Sequence, residues 1–324
     1  ISQTLTNLDP HSTYLKGDDV ASTMASMQGS FEGIGVEFSI HRDTIIIINV
    51  IPNGPSEKRG LKSGERIIFI EEEEVAGIGI SNKDVISKLR GERGTYVKVG
   101  VQSPQDTLVR FVSLKRDKIP LASLDVAYEI NPQVGYIKLN RFSATTFDEF
   151  KHELKKLKRE SSIKSLILDL RGNSGGYLDQ AIKILNEFFG EKELLVYTKG
   201  NARRTDEYFA NTFGDFQDGN LCVLIDEGSA SASEIVAGAV QDHDRGLIIG
   251  ERSFGKGLVQ EQIELQDGSL MRLTVSRYYT PSGRCIQKPY LESQSEYFSE
   301  VYQREGDQLI DTLQQFNTMQ GRVV

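Results

Sequence analysis

Leu221-Cys222-Val223-Leu224-Ile225-Asp226-Glu227-Gly228-Ser229-Ala230-Ser231-Ala232-Ser233-Glu234 is the stretch that decides how this chain is read. Its first five residues form an apolar run of strand length and predict a buried strand. Gly228 and the small residues after it break the run, and Ile235-Val236-Ala237-Gly238-Ala239-Val240 follows with helical spacing. A strand, a tight turn and a helix start would hold one serine hydroxyl at a fixed point, beside helix N–H groups that lack intrahelical acceptors. Further along, Lys256 stands among small and apolar neighbours in Phe254-Gly255-Lys256-Gly257-Leu258-Val259, whereas Lys155, Lys156 and Lys158 sit in a charged run. A serine nucleophile and a lysine base fit that pairing.

The residues alone leave alternatives open. A serine hydroxyl is a weak nucleophile until a base takes its proton, and histidine is the commonest base. Of the four histidines only His243 lies near the serine stretch, and it falls after the helix rather than at its start. A lysine serves if its neutral form is populated near pH 7, which requires burial. Gly255-Lys256-Gly257 also reads as a flexible surface loop. Ser229, Ser231 and Ser233 compete for the nucleophile role, or the small residues only permit close helix packing. No His or Cys pair has metal-ligand spacing, and neither a metal nor another cofactor is expected.

Composition narrows the class. With 38% hydrophobic and 26% charged residues, the 324-residue chain is of ordinary globular type, long enough for two or three domains. A net charge of −8 argues against a nucleic-acid partner. No apolar run approaches the roughly 20 residues of a membrane span. The chain starts at Ile1 without a signal-like segment and reads as a trimmed fragment at both ends, so a missing signal says nothing about compartment. Two cysteines, Cys222 and Cys285, leave the compartment open as well.

Taken in order, residues 1–28 predict an N-terminal helical segment, with Asp18 or Asp19 capping a helix over Val20–Met27. Residues 29–118 change to short strands punctuated by glycine, with one helix over Asn82–Leu89 capped by Ser81. Residues 119–324 alternate strands and helices, an α/β pattern. There Thr146–Lys158 is an amphipathic helix, Tyr177–Phe189 a second, 199–219 a polar loop, and the tail from Ser293 a polar helix. Arg171-Gly172-Asn173-Ser174-Gly175-Gly176 forms a glycine-rich turn after the strand Leu166–Leu170, without the spacing of a phosphate-binding Walker loop.

Several of these pieces agree in order with one family. Gly228-Ser229-Ala230-Ser231-Ala232-Ser233-Glu234, Phe254-Gly255-Lys256-Gly257 and Gln260 resemble the carboxyl-terminal processing peptidases, as do Asp9-Pro10-His11-Ser12 and Leu168–Gly176. Gly33-Ile34-Gly35-Val36 and Gly60-Leu61-Lys62-Ser63-Gly64-Glu65-Arg66-Ile67 resemble a PDZ domain, departing from it at Glu71–Glu74, where a tight glycine turn is usual. The resemblance covers Asp9 through Arg284. It implies a ClpP/crotonase-like α/β protease core with an inserted, β-rich PDZ domain. It also implies Ser231 as nucleophile, Lys256 as base, and Gln260 orienting the base. The N–H groups of Gly176, Gly175 and Ala232 would then form an oxyanion hole. Gly33, Ile34, Gly35 and Val36 would receive the terminal carboxylate of a peptide ending in apolar residues. Glu234 and Asp242, also common in the family, would support the helix near Ser231. An extracytoplasmic location, periplasm or envelope, is expected on the same ground, and a homo-oligomer or activating partner is compatible with it. Two other classes fit parts of the pattern: a silent PDZ-based binding module, and an acyl-CoA enzyme of the crotonase type.

Overall fold

The structure, a computed structural model, describes residues 1–211, 213–290, 293–304 and 315–324. It divides into two compact units, one of residues 30–121 and one made of residues 1–29 together with 122–324. The N-terminal segment is therefore not a separate body. It folds with the α/β residues on the far side of the insertion.

In the unit of residues 30–121, the strands Val36–His41, Thr44–Val50, Arg66–Ile70, Tyr96–Gln102 and Val109–Lys115 lie antiparallel in that order. The acidic stretch makes the return from Arg66–Ile70 to a two-residue strand, Glu73–Glu74, which explains why four carboxylates are tolerated there: all are exposed. Helix Asn82–Leu89 starts as expected. Ser81 Oγ accepts from the N–H of Asp84, and the Asp84 carboxylate accepts from the N–H of Ser81. Val85 and Leu89 turn inward to join Ile45, Ile47, Ile67, Val99 and Leu114 in one apolar core.

The other unit has two sheets. In the first, Val134–Leu139, Ser165–Asp169, Asn220–Ile225 and Leu247–Gly250 run parallel, with Leu124–Asn131 antiparallel at one edge. Helices Thr146–Ser161, Leu178–Leu185 and Ala232–Asp242 share its core through Phe150, Leu154, Ile184, Ile235 and Val236. In the second sheet, Leu270–Tyr279 is central: it pairs antiparallel with Thr13–Leu15, Leu194–Lys199 and Leu258–Glu264.

Four expectations change. The N-terminal helix spans Asp18–Gln28 and Gly17 takes the cap position, so neither Asp18 nor Asp19 precedes it. The second core helix is shorter than its apolar pattern, Leu178–Leu185, yet Phe188 and Phe189 beyond it are still buried. Burial rather than helix produced the apolar signal. Asp206–Phe209 in the polar 199–219 segment is an edge strand on Leu194–Lys199. The tail is helical over Gln294–Ser299 and Glu300–Tyr302, and the remainder of that expectation falls on residues outside the described ones.

Candidate active site

The turn after strand Asn220–Ile225 is built by committed polar groups. Asp226 Oδ1 accepts from the N–H groups of Gly172 (2.8 Å) and Gly228 (3.0 Å), tying this turn to the glycine-rich one. Ser229 is fully buried and its Oγ donates to the Leu170 carbonyl at 2.8 Å. Ser233 is equally buried, donating to the Asn173 carbonyl at 2.8 Å. Ser231 differs from both. It sits at the N-cap of helix Ala232–Asp242 with φ 53° and ψ −111°, and it lines a cavity of about 720 Å³. A positive φ is unfavourable for a residue with a Cβ and persists only where surrounding contacts enforce it, commonly at functional sites. Of the three serines that the sequence leaves in competition, only Ser231 faces open space.

Lys256 lines the same cavity. Burial is the main force holding its amine below the usual lysine range, and the nearby Arg272 guanidinium acts in the same direction; Asp9 and Glu234 oppose them. The amine makes no hydrogen bond or ion pair with another described residue. Burial without a close counter-ion shifts a lysine toward its neutral form, the direction a general base needs.

Glu234 joins the two halves. Its buried carboxylate accepts four hydrogen bonds: Oε2 from the N–H groups of Ser231 (2.8 Å) and Lys256 (2.8 Å), Oε1 from the Gly255 N–H (2.6 Å) and Ser253 Oγ (2.7 Å). Burial is the larger influence and leaves its pKa raised, while these bonds oppose it. The three backbone N–H groups can only donate, so they favour the ionised carboxylate. Glu234 thus links the backbone of the candidate nucleophile to that of the candidate base. Asp242, expected to act with it, sits at the other end of the helix. There it pairs with Arg284 (3.1 Å) and accepts from the Ser282 N–H (3.0 Å), fixing the turn at 281–284.

Gln260 also lines the cavity, and its Nε2 donates to the His11 carbonyl at 2.9 Å, across 249 residues of sequence. That bond uses one of the two amide N–H donors, and no hydrogen bond joins the Gln260 side chain to the Lys256 amine, the contact that the family resemblance implies. His11 is held in turn: Asp9 Oδ1 accepts from its N–H (2.8 Å), and its Nε2 lies 2.9 Å from the Tyr297 hydroxyl. Burial, with Lys256 nearby, lowers His11 to about 4, so its ring is neutral near pH 7. His243, the rival base, is engaged elsewhere, its Nε2 2.6 Å from the Leu194 carbonyl and its ring against Phe189.

Gly175 and Gly176 pack where side chains have no room. A Cβ on Gly175 would lie 2.7 Å from Ser231 Cβ, and one on Gly176 would lie 2.1 Å from the Phe142 carbonyl oxygen. The Gly175 N–H is spent on Asn173 Oδ1 (2.9 Å). The N–H groups of Gly176 and Ala232 have no acceptor among the described residues, so of the three expected donors these two are the ones available. Asn173 organises this loop from inside: its side chain also donates to the Leu139 carbonyl (3.0 Å) and its own carbonyl receives Ala230 N–H (3.0 Å).

A further clamp escaped sequence reading. Arg304 donates to the carbonyls of Arg252 (2.9 Å) and Ser253 (2.8 Å) and pairs with Glu300 (2.8 Å). Glu300 also binds the buried Lys288 amine (2.8 Å), which lies 4.4 Å from the ring centres of both Phe254 and Tyr297. The base-bearing loop is therefore gripped by Glu234 and by the segment 293–304. In the smaller unit, the Gly33–Val36 loop is fixed at Ile34, whose carbonyl accepts from Ser56 Oγ (2.7 Å), and at Gly35, which has φ +75°. Among the described residues, no group of three or more His, Cys, Asp or Glu is placed to hold a metal.

Known proteins resemble this chain. Residues 133–306 match the model of peptidase family S41, and residues 33–108 that of the PDZ domain, a module that takes peptides by strand addition. A carboxy-terminal-processing protease of Bartonella bacilliformis is 36% identical over 89% of this chain and 66% of its own length. Carboxy-terminal processing protease CtpB of Bacillus subtilis is 35% identical over 90% of this chain and 61% of its own. The chain thus spans less than two-thirds of the length of these relatives. Among solved structures, a photosystem II D1 C-terminal processing protease is 29% identical with a TM-score of 0.52, covering 88% of this chain and 77% of that one. Family model, relatives and fold agree that this chain belongs to peptidase family S41 and carries a PDZ domain within it.

Proposed function

We propose that the protein is a serine endopeptidase working through a Ser231–Lys256 dyad. The observation that carries this reading is the pair itself: one serine at a strained helix start and one desolvated lysine open into the same cavity, and both backbones are anchored on Glu234. Neutral Lys256 takes the Ser231 proton as Ser231 Oγ attacks the scissile carbonyl. The N–H groups of Gly176 and Ala232 stabilise the resulting oxyanion. Collapse forms the acyl-enzyme while the Lys256 ammonium protonates the leaving amine, and water then releases the acyl product. Gln260, held by the His11 carbonyl on the same cavity wall as Lys256, would orient the lysine amine once that amine turns toward it. The loop Gly33–Val36 receives the carboxylate of a substrate with an apolar C-terminus, as the PDZ match supports. An extracytoplasmic location, in the periplasm or envelope, is part of the same proposal, and an activating partner or a second copy is compatible with it.

The test is cleavage of an unfolded protein bearing an apolar C-terminal tag, with mass detection of an acyl or phosphonyl adduct. We expect cleavage and a single adduct on Ser231. Unchanged cleavage by Ser231→Ala, or an adduct on Ser229 or Ser233, would sink the assignment.

A further inference from the structure

Arg272 has an unusual position. It lies on the central strand Leu270–Tyr279, between register partners Thr13 and Gln262, both neutral. Its guanidinium lines the cavity that holds Ser231 and Lys256, and burial lowers its pKa. Its side chain makes no ion pair and no hydrogen bond with another described residue. The residue is half-buried on the wall of an open cavity, so its guanidinium stays available to an acceptor that enters from outside.

The rest of the wall points the same way. The charged groups lining the cavity are Arg141, Lys256, Arg272 and Asp179. Asp179 is paired with Lys183 at 3.0 Å, and Arg141 donates from Nε to Asn140 Oδ1 at 2.8 Å and from Nη1 to Ser26 Oγ at 3.3 Å. Arg272 is left as a fork of donors with nothing to grip, in a chain whose net charge is −8. A planar guanidinium matches the two oxygens of a carboxylate.

We propose that Arg272 is a specificity-determining residue that binds a substrate carboxylate close to the cleaved bond. The carboxylate comes either from an Asp or Glu side chain or from a chain terminus lying just past the bond. This inference rests on the peptidase reading of the same cavity, and its test keeps the two apart.

Binding is measured to full-length Ser231→Ala protein, so no turnover is needed. One set of amidated peptides carries a single Glu, or Gln in its place, walked across the positions around the cleaved bond. A second pair compares one peptide as free acid and as amide. The same titrations are repeated on Ser231→Ala combined with Arg272→Gln or Arg272→Glu. We expect one carboxylate to strengthen binding by about ten- to a hundredfold, the range for hydrogen bonds to charged groups. That preference should vanish with Arg272→Gln and turn to a preference for Lys with Arg272→Glu. Dependence on the walked residue identifies a side chain, and dependence on the free acid identifies a terminus. Equal affinities in every pair, or a preference that survives Arg272→Gln, overturn the proposal. Should Arg272→Gln change only the pH at which the wild-type Ser231 protein becomes active, Arg272 serves Lys256 alone and the proposal also fails. Cleavage by the wild type is scored separately: its absence counts against the peptidase reading while the binding comparison stands.

Discussion

Lys256→Ala is expected to lower kcat/KM by on the order of 10⁴-fold or more, as loss of a general base does in other serine peptidases. Lys256→Arg should be nearly as damaging although it keeps the positive charge, because a guanidinium stays protonated and cannot accept the Ser231 proton. If Arg restored activity, the lysine would be an electrostatic element and not a base. The wild-type pH profile carries the same information. Burial and Arg272 lower the amine's pKa, so the rate should rise with pH along a limb centred below the ordinary lysine value of 10.5. Stability follows with the same sign. Between the folded and unfolded pKa values the unfolded chain binds the extra proton, so this residue's contribution to stability increases with pH through that window. Profiles of kcat/KM for wild type and Arg272→Gln settle the cause, since losing the guanidinium should move the limb toward higher pH.

Glu234→Ala should have the second largest effect, on both stability and rate. It leaves three backbone N–H groups and the Ser253 hydroxyl without their acceptor in a buried site. At about 1–3 kcal/mol for each unsatisfied donor, and with water recovering part, a loss on the order of 4 kcal/mol is expected. In a unit of this size that corresponds to a fall in Tm of roughly 10 °C. Glu234→Gln separates structure from charge. It keeps one acceptor oxygen, places an NH₂ against two donors, and removes a charge that raises the Lys256 pKa. Its maximal rate should fall while its pH limb moves toward lower pH, opposite to Arg272→Gln. A variant with wild-type Tm and an unmoved limb would show that Glu234 does not join the two halves of the dyad.

Much of this could be read from the chain, for identifiable reasons. The parallel strands are continuous apolar runs, and the turns between them are made of glycine and small residues that few other structures need. The resemblance of Ser231, Lys256 and their flanks then selected among candidates that spacing alone left equal. What selects Ser231 physically is the engagement of Ser229 and Ser233 with the Leu170 and Asn173 carbonyls, which no spacing rule shows. Long-range partnerships were illegible for the same reason. The His11 carbonyl under Gln260 and the Arg304 fork on the lysine loop join residues far apart in the chain. Nothing in the sequence marks Arg272 within the strand Leu270–Tyr279. Only the geometry shows that its neighbours cannot satisfy it. Asp206–Phe209 was missed because a short, exposed edge strand has little apolar alternation to display.

The insertion of residues 30–121 into the larger unit sets an order of assembly during synthesis. Residues 1–29 leave the ribosome before the inserted unit, but the strand that pairs with Thr13–Leu15 is Leu270–Tyr279, made long afterwards. The inserted unit has its own core and can fold while that first segment waits unpaired. The lysine loop and the strand carrying Gln260 emerge late, and the His11 carbonyl reaches Gln260 only when the N-terminal segment docks last. Closing so long a loop is slow compared with local folding. A newly made chain would therefore pass through a period in which the inserted unit is folded while the Ser231–Lys256 cavity is still open. In refolding experiments, protection of backbone amides in residues 30–121 should precede the return of activity, and a point of equal timing would remove this interlock.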